Sequence, residues 1–194
     1  MQTIKNILNI LLIVLFISCN TKSKEDNIVA TKRIIKLGEY KVSVKLPNNV
    51  IIRSNSTDSV EYNMVKWLLD KDKIVNKTTW FNFDKFLFKK GTTTLINGSG
   101  NQLLNLSEIL KAFPDTTIKL GSYTDNMEES TTEKRMKLSI DRATAIKKEI
   151  IKLGIDAKRI IQEGYGEQWP VASNATEEGR QQNRRIAIRV THKL

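Results

Sequence analysis

The sequence predicts an α+β domain, and three patterns predict it. Strand-like and helix-like periodicities alternate from Trp80 to Thr191 in the coarse order βαβαββ. One helical stretch, Glu129 to Leu153, is long and stops at Gly154, a residue suited to a left-handed helix end. A shorter β-rich segment with one helix, residues 33–78, comes before this region. Strand–helix–strand units favour parallel pairing with right-handed crossovers and helices stacked on the sheet.

The first element is an address. Residues 1–18 read as an export signal. Lys5 gives a positive start, and Ile7 to Ile17 is apolar except for Asn9. That run is shorter than the ~20 apolar residues a spanning helix needs, and it has the size of a signal-peptide core. It ends at Ser18-Cys19, and Cys19 is the only cysteine of the chain, so no internal disulfide can form. Ser18 before Cys19 is similar to the cleavage box of bacterial lipoproteins, although Phe16 replaces the aliphatic residue favoured at minus three. This resemblance implies a diacylglyceryl-modified, acylated Cys19 anchored in outer-membrane lipid, stably because several chains sit on one residue. Residues 19–32 are polar, lack apolar periodicity and read as a flexible tether. About 13 such residues reach at most about 45 Å. Lys24-Glu25-Asp26 resembles a surface-export signal of some Bacteroidetes lipoproteins, and equally suits a solvated charge run. The periplasmic face is the expectation.

Between Ile34 and Leu46, the stretch from Tyr40 puts Tyr40, Val42, Val44 and Leu46 on one face of a strand. Pro47-Asn48-Asn49 is a turn, and Val50-Ile51-Ile52 begins a second strand. Ser59 to Leu69 has helical spacing at Val60, Met64 or Val65, and Leu68, with Asp58 or Ser59 as cap. No chemistry is visible in this segment, which either packs on the main domain or acts as a spacer.

The main domain spans residues 79–194. Trp80 to Phe88 alternates with one slip, which predicts a bulge or bend. Asn97 to Gly100 is a loop. Leu103, Leu106, Leu110 and Phe113 mark a helix face that ends before Pro114. Thr116 to Tyr123 is a strand around Ile118 and Leu120. The long helix directs Ala143, Ile146, Ile150 and Leu153 inward. Arg159 to Tyr165 and Arg185 to Thr191 are further strands, with a short helix near Thr176 to Asn183 between them. Gly164 and Gly166 read as turn residues. Arg180 reads as structural, in the helix-to-strand corner.

Charge narrows the partners. The chain carries a net +11, and loss of residues 1–18 removes one lysine and no acid, leaving +10. An anionic partner is implied. Nucleic acid is set aside, because the chain has an export signal and no zinc-ligand spacing or nucleic-acid motif. Enzyme chemistry also finds little to use. His192, beside the C-terminus, is the sole histidine. Glu128 and Glu129 read as helix-dipole partners at the start of the long helix. No cofactor, metal or reaction is expected.

Four pieces in order carry a resemblance: Gly121-Ser122-Tyr123-Thr124-Asp125-Asn126, Leu138-Ser139-Ile140-Asp141-Arg142-Ala143, Gly164-Tyr165-Gly166, and Gly179-Arg180 with Asn183-Arg184-Arg185. Over Trp80 to Thr191 the chain resembles the OmpA-like peptidoglycan-binding domain. The resemblance implies a βαβαββ sandwich, a mixed sheet with helices packed on one face, preceded here by the small β-rich segment. It also implies a site. Arg142 would offer a bidentate fork to the far carboxylate of a diaminopimelate stem peptide, and Asp125 would accept from its ammonium. Tyr123, Thr124 and Asn126 would complete the pocket, with Arg184 an outer member. Asp125 and Arg142 are expected at an exposed rim, where substitution weakens binding without unfolding.

The sequence departs from the family pattern at Tyr123, which replaces a common His, and at Arg135, which replaces a common Asn. Lys89 and Gly91 stand where some members have polar or acidic contacts. The implied function is a non-catalytic outer-membrane lipoprotein that ties membrane to wall. The rival is a docking component of a larger motility or secretion assembly, with Ile34 to Leu69 binding an envelope protein partner.

Overall fold

The computed structural model describes residues 41–54, 56–83, 88–96 and 99–193. The export signal, Cys19, the tether with Lys24-Glu25-Asp26, the strand start before Lys41, and Asn97 lie outside the described residues, as do residues 84–87, where the slip in alternation falls.

Two short strands open the described chain. β1 (Val42–Lys45) and β2 (Ile51–Ser54) pair antiparallel through the Pro47-Asn48-Asn49 turn. Period-two alternation sorts their residues as expected: Ser43 and Lys45 are exposed, while Val44 and Leu46 turn to the core. α1 (Val60–Leu69) is capped by Ser59, whose hydroxyl accepts from the Tyr62 N–H. Met64, Val65 and Leu68 of α1 are buried in the same cluster as residues of the main sheet, so this segment packs on the domain. Lys193 donates to the Trp67 and Asp70 carbonyls, and Trp67 meets Phe81 edge to face, which fastens the contact.

The main sheet contains β3 (Phe81–Phe83), β4 (Thr117–Tyr123), β5 (Ile160–Gly166) and β6 (Ile186–His192), in the order β3-β6-β4-β5. β4 and β5 are parallel, whereas β6 runs antiparallel to both β4 and β3. This is the mixed sheet that was expected. α2 (Ser99–Ala112) and α3 (Thr132–Lys152) supply the helical layer. Their inward stripes, Leu106 and Leu110 with Ala143, Ile146 and Ile150, share one core with Ile118, Leu120 and Ile188. Each such buried Leu or Ile contributes about 1.5–3 kcal/mol. The opposite face of β4 and β5 carries Lys119 paired with Glu163, and Tyr123 stacked on Tyr165. α4 (Glu177–Asn183), capped by Thr176, precedes β6.

Three expectations about local structure are corrected. Ser99 and Gly100, expected in a loop, are the first residues of α2. α3 starts at Thr132, not Glu129, because the Thr131 hydroxyl caps it by accepting from the Lys134 N–H. Glu128 and Glu129 therefore lie in the preceding loop, outside the first turn of the helix. Gly164 is not in a turn. It lies inside β5, pressed against α3, and a Cβ there would stand 2.3 Å from the Ile140 nitrogen and 2.4 Å from the Ser139 hydroxyl. The small residue lets strand and helix approach. Ser139 uses that closeness, accepting from the Gly166 N–H at 2.9 Å.

Candidate functional site

The loop after β4 is built by its own polar residues. Tyr123 ends the strand and donates its N–H to Arg185, and the Thr124 N–H reaches the Gly166 carbonyl at 2.8 Å. The Asp125 carboxylate then accepts from the Met127 N–H at 2.6 Å, an Asx turn that reverses the chain. The reversal leaves Asn126 and Met127 exposed and sends Glu128 inward. Arg135 closes the loop from the helix side. Its guanidinium donates to the Glu129 carbonyl and to the Glu167 carboxylate at 2.9 Å. Arg135 thus supports the loop from α3.

Arg142 projects from the third turn of α3 into this corner. Its two terminal nitrogens each donate to Glu128 at 2.6 Å, and its Nε donates to the Thr92 carbonyl at 2.9 Å. The guanidinium also lies 4.8 Å from the centre of the Phe88 ring. The loop of residues 88–96 therefore contributes backbone carbonyls and a ring to this wall, with the Lys89 side chain exposed.

Asp125 and Arg142 do not face each other as a free pair at an exposed rim. They are 1% and 2% exposed, and each has another partner. Asp125 pairs with Arg184, which also holds Glu177 at 2.6 Å. The physical reason is the Asx turn, which points the Asp125 carboxylate toward the α4–β6 junction and delivers Glu128 to the arginine fork. Burial works against charge on Arg184, yet its bonds to Glu177 and Asp125 outweigh this and raise its pKa. The bond from Arg184, and then that from Arg180, holds the Glu177 carboxyl below its ordinary value.

A cavity of about 190 Å³ opens at the end of β4. Of the six residues predicted for the site, Tyr123, Arg142 and Arg184 line it, joined by Ser122, Glu128 and Arg185. Thr124 and Asp125 are buried beside it as loop supports, and Asn126 stands at the loop tip. Arg185 stacks 3.7 Å above the Tyr123 ring and donates to the Trp169 carbonyl at 3.0 Å. Its Nε and Nη1, and the Ser122 and Thr124 hydroxyls, are buried without hydrogen-bond partners. Burial pushes the Arg185 pKa down, against the opposing influence of Tyr123.

Sequence reasoning missed Glu128 and undervalued Asn183. Asn183 is 1% exposed and makes four hydrogen bonds, two accepted from Val171 and Ala172 and two donated to Ala172 and Asn174. It ties the 171–174 loop to α4. Arg180 donates to the Asn174 carbonyl from the same corner, the structural role expected of it. A Cβ on Gly179 would fall 1.9 Å from the Ser173 carbonyl oxygen, so this loop and helix need a glycine at their contact.

The OmpA family profile matches residues 87–184, about half of the chain. The chain is 37% identical over 101 residues to Probable lipoprotein YiaD of Escherichia coli, covering 52% of this chain and 45% of that protein. It is 34% identical over 101 residues to Peptidoglycan-binding protein ArfA of Mycobacterium bovis, covering 52% and 30%. The matches thus span less than half the length of either relative. Among solved structures, the C-terminal domain of Helicobacter pylori MotB superposes with a TM-score of 0.52 at 22% identity, over 57% of this chain and 86% of that one. The peptidoglycan-associated lipoprotein from Burkholderia pseudomallei gives 0.50 at 24% identity, over 54% and 86%. At these identities the likeness shows a shared fold alone. With the mixed sheet, the loop after β4 and the matched segment in agreement, the chain belongs to the OmpA family.

Proposed function

We propose that this chain is a non-catalytic envelope protein that binds peptidoglycan through the pocket at the end of β4. We further propose that it is held to the outer membrane by an acylated Cys19, facing the periplasm. The observation that carries the first part is the convergence of Arg142, Arg184 and Arg185 on one small cavity, with Arg185 nitrogens and the Ser122 hydroxyl left without partners. Buried donors without acceptors are uncommon and suit a site completed by an anionic ligand. The far end of a diaminopimelate stem peptide offers a carboxylate for the arginines and an ammonium for the acidic groups among them. A guanidinium fork gives the carboxylate geometric as well as charge recognition. The matched relatives named as a lipoprotein and as a peptidoglycan-binding protein support this reading.

Sedimentation with intact diaminopimelate-type sacculi tests it. The soluble chain should sediment with them, and a substantial part should stay bound at about 1 M salt, where the Debye length is about 3 Å and diffuse attraction is screened. Complete release at that salt would mean that the net positive charge alone holds the chain. The anchor is tested separately: Cys19→Ser should free the protein from the membrane fraction. An unmodified Cys19 in the mass of the mature protein would refute acylation.

A further inference from the structure

We propose that Glu128 sets the ligand specificity of this pocket, by occupying the seat that the ligand's carboxylate must take on Arg142. The inference rests on the reading that the pocket receives the zwitterionic end of a stem peptide. Both oxygens of Glu128 accept from the Arg142 fork at 2.6 Å, and the two side chains are 1% and 2% exposed. The remaining edge of the guanidinium is committed to the Thr92 carbonyl. An incoming carboxylate therefore finds the fork full and has to trade places with Glu128.

The loop allows such an exchange. Glu128 follows the Asx turn of Asp125, and its neighbours Asn126, Met127 and Ser130 are exposed, so its side chain can swing out of the fork while the Asp125–Arg184 and Glu129–Arg135 contacts hold the loop on either side. Once displaced, the Glu128 carboxylate lies in a mostly desolvated corner and needs a cation. Arg184 is committed to Asp125 and Glu177, and the open donors of Arg185 are taken by the incoming carboxylate itself. A ligand ammonium supplies the missing charge. A zwitterion gives the pocket both halves of the exchange, whereas a plain carboxylate gives one half and leaves Glu128 stranded. Glu128 thus excludes simple carboxylates through the charge they would leave unpaired.

The test uses the soluble chain and two small probes, meso-diaminopimelate and pimelate. Pimelate is the same seven-carbon dicarboxylate without its amino groups. Titration calorimetry should show that the wild-type chain prefers diaminopimelate by about tenfold or more. Glu128→Gln keeps the size of the side chain and removes its charge. It should bring the two probes within about threefold, chiefly by tightening pimelate. Glu128→Asp, which keeps the charge but withdraws it, serves if the Gln variant fails to fold, and should narrow the preference in part. A folded Glu128→Gln chain that keeps the wild-type preference overturns the role of Glu128. If that chain still sediments with sacculi, the wall-binding function stands without it. A chain that binds neither sacculi nor diaminopimelate overturns both.

Discussion

Arg142→Ala is expected to destabilise the chain by about 3–5 kcal/mol and to abolish sacculus binding. The two effects have separate causes. Arg142 and Glu128 are almost fully buried, and the pair is bidentate. Removing the cation leaves the Glu128 carboxylate, itself almost fully buried, without its partner. In a domain of this size the loss should appear as a melting temperature lower by roughly 10 °C. Binding is lost because the fork that would hold the ligand carboxylate is gone. The double variant Arg142→Ala/Glu128→Ala separates the causes. Both charges leave together, so stability should return toward wild type, while sacculus binding stays lost. Thermal melts beside sedimentation decide the matter. A double variant as unstable as Arg142→Ala would show that the arginine's contacts with Thr92 and Phe88, and not the stranded charge, carry the stability.

Much of the fold was legible because it rests on periodicity. The spacing of Leu103, Leu106 and Leu110, and of Ala143, Ile146 and Ile150, identified the inward faces of α2 and α3, and all six residues are buried. Alternation around Ile118 and Leu120 located β4 in the same way. What periodicity does not encode is where a side chain goes in an irregular loop. Asp125 and Arg142 were visible through the motifs around them, but their partners were not. Whether Asp125 meets Arg142 or Arg184 depends on one Asx turn, and that turn depends on the bond to the Met127 N–H. Glu128 looked like part of a helix start because two adjacent carboxylates often are. The Thr131 cap moves the helix start past it. Gly164 looked like a turn residue because Gly-Tyr-Gly usually signals one. Its close contact with α3 is a tertiary fact, set by two elements over twenty residues apart in sequence.

The central claim is that the pocket reads both charges at the end of a diaminopimelate side chain. Wall material with lysine at that position keeps the ammonium and lacks the carboxylate. Without that carboxylate the ligand cannot displace Glu128 from Arg142, and the unpartnered donors of Arg185 stay unfilled. Losing one charged partner of a desolvated contact costs about 2–5 kcal/mol, roughly thirty-fold or more in affinity. The most direct measurement is therefore quantitative sedimentation of the soluble chain with diaminopimelate-type and lysine-type walls in parallel, at equal wall mass and physiological salt. We predict binding to the first that is at least about thirty-fold tighter than to the second, with free meso-diaminopimelate releasing the chain. Equal affinity for both walls, unaffected by free meso-diaminopimelate, would contradict recognition by this pocket.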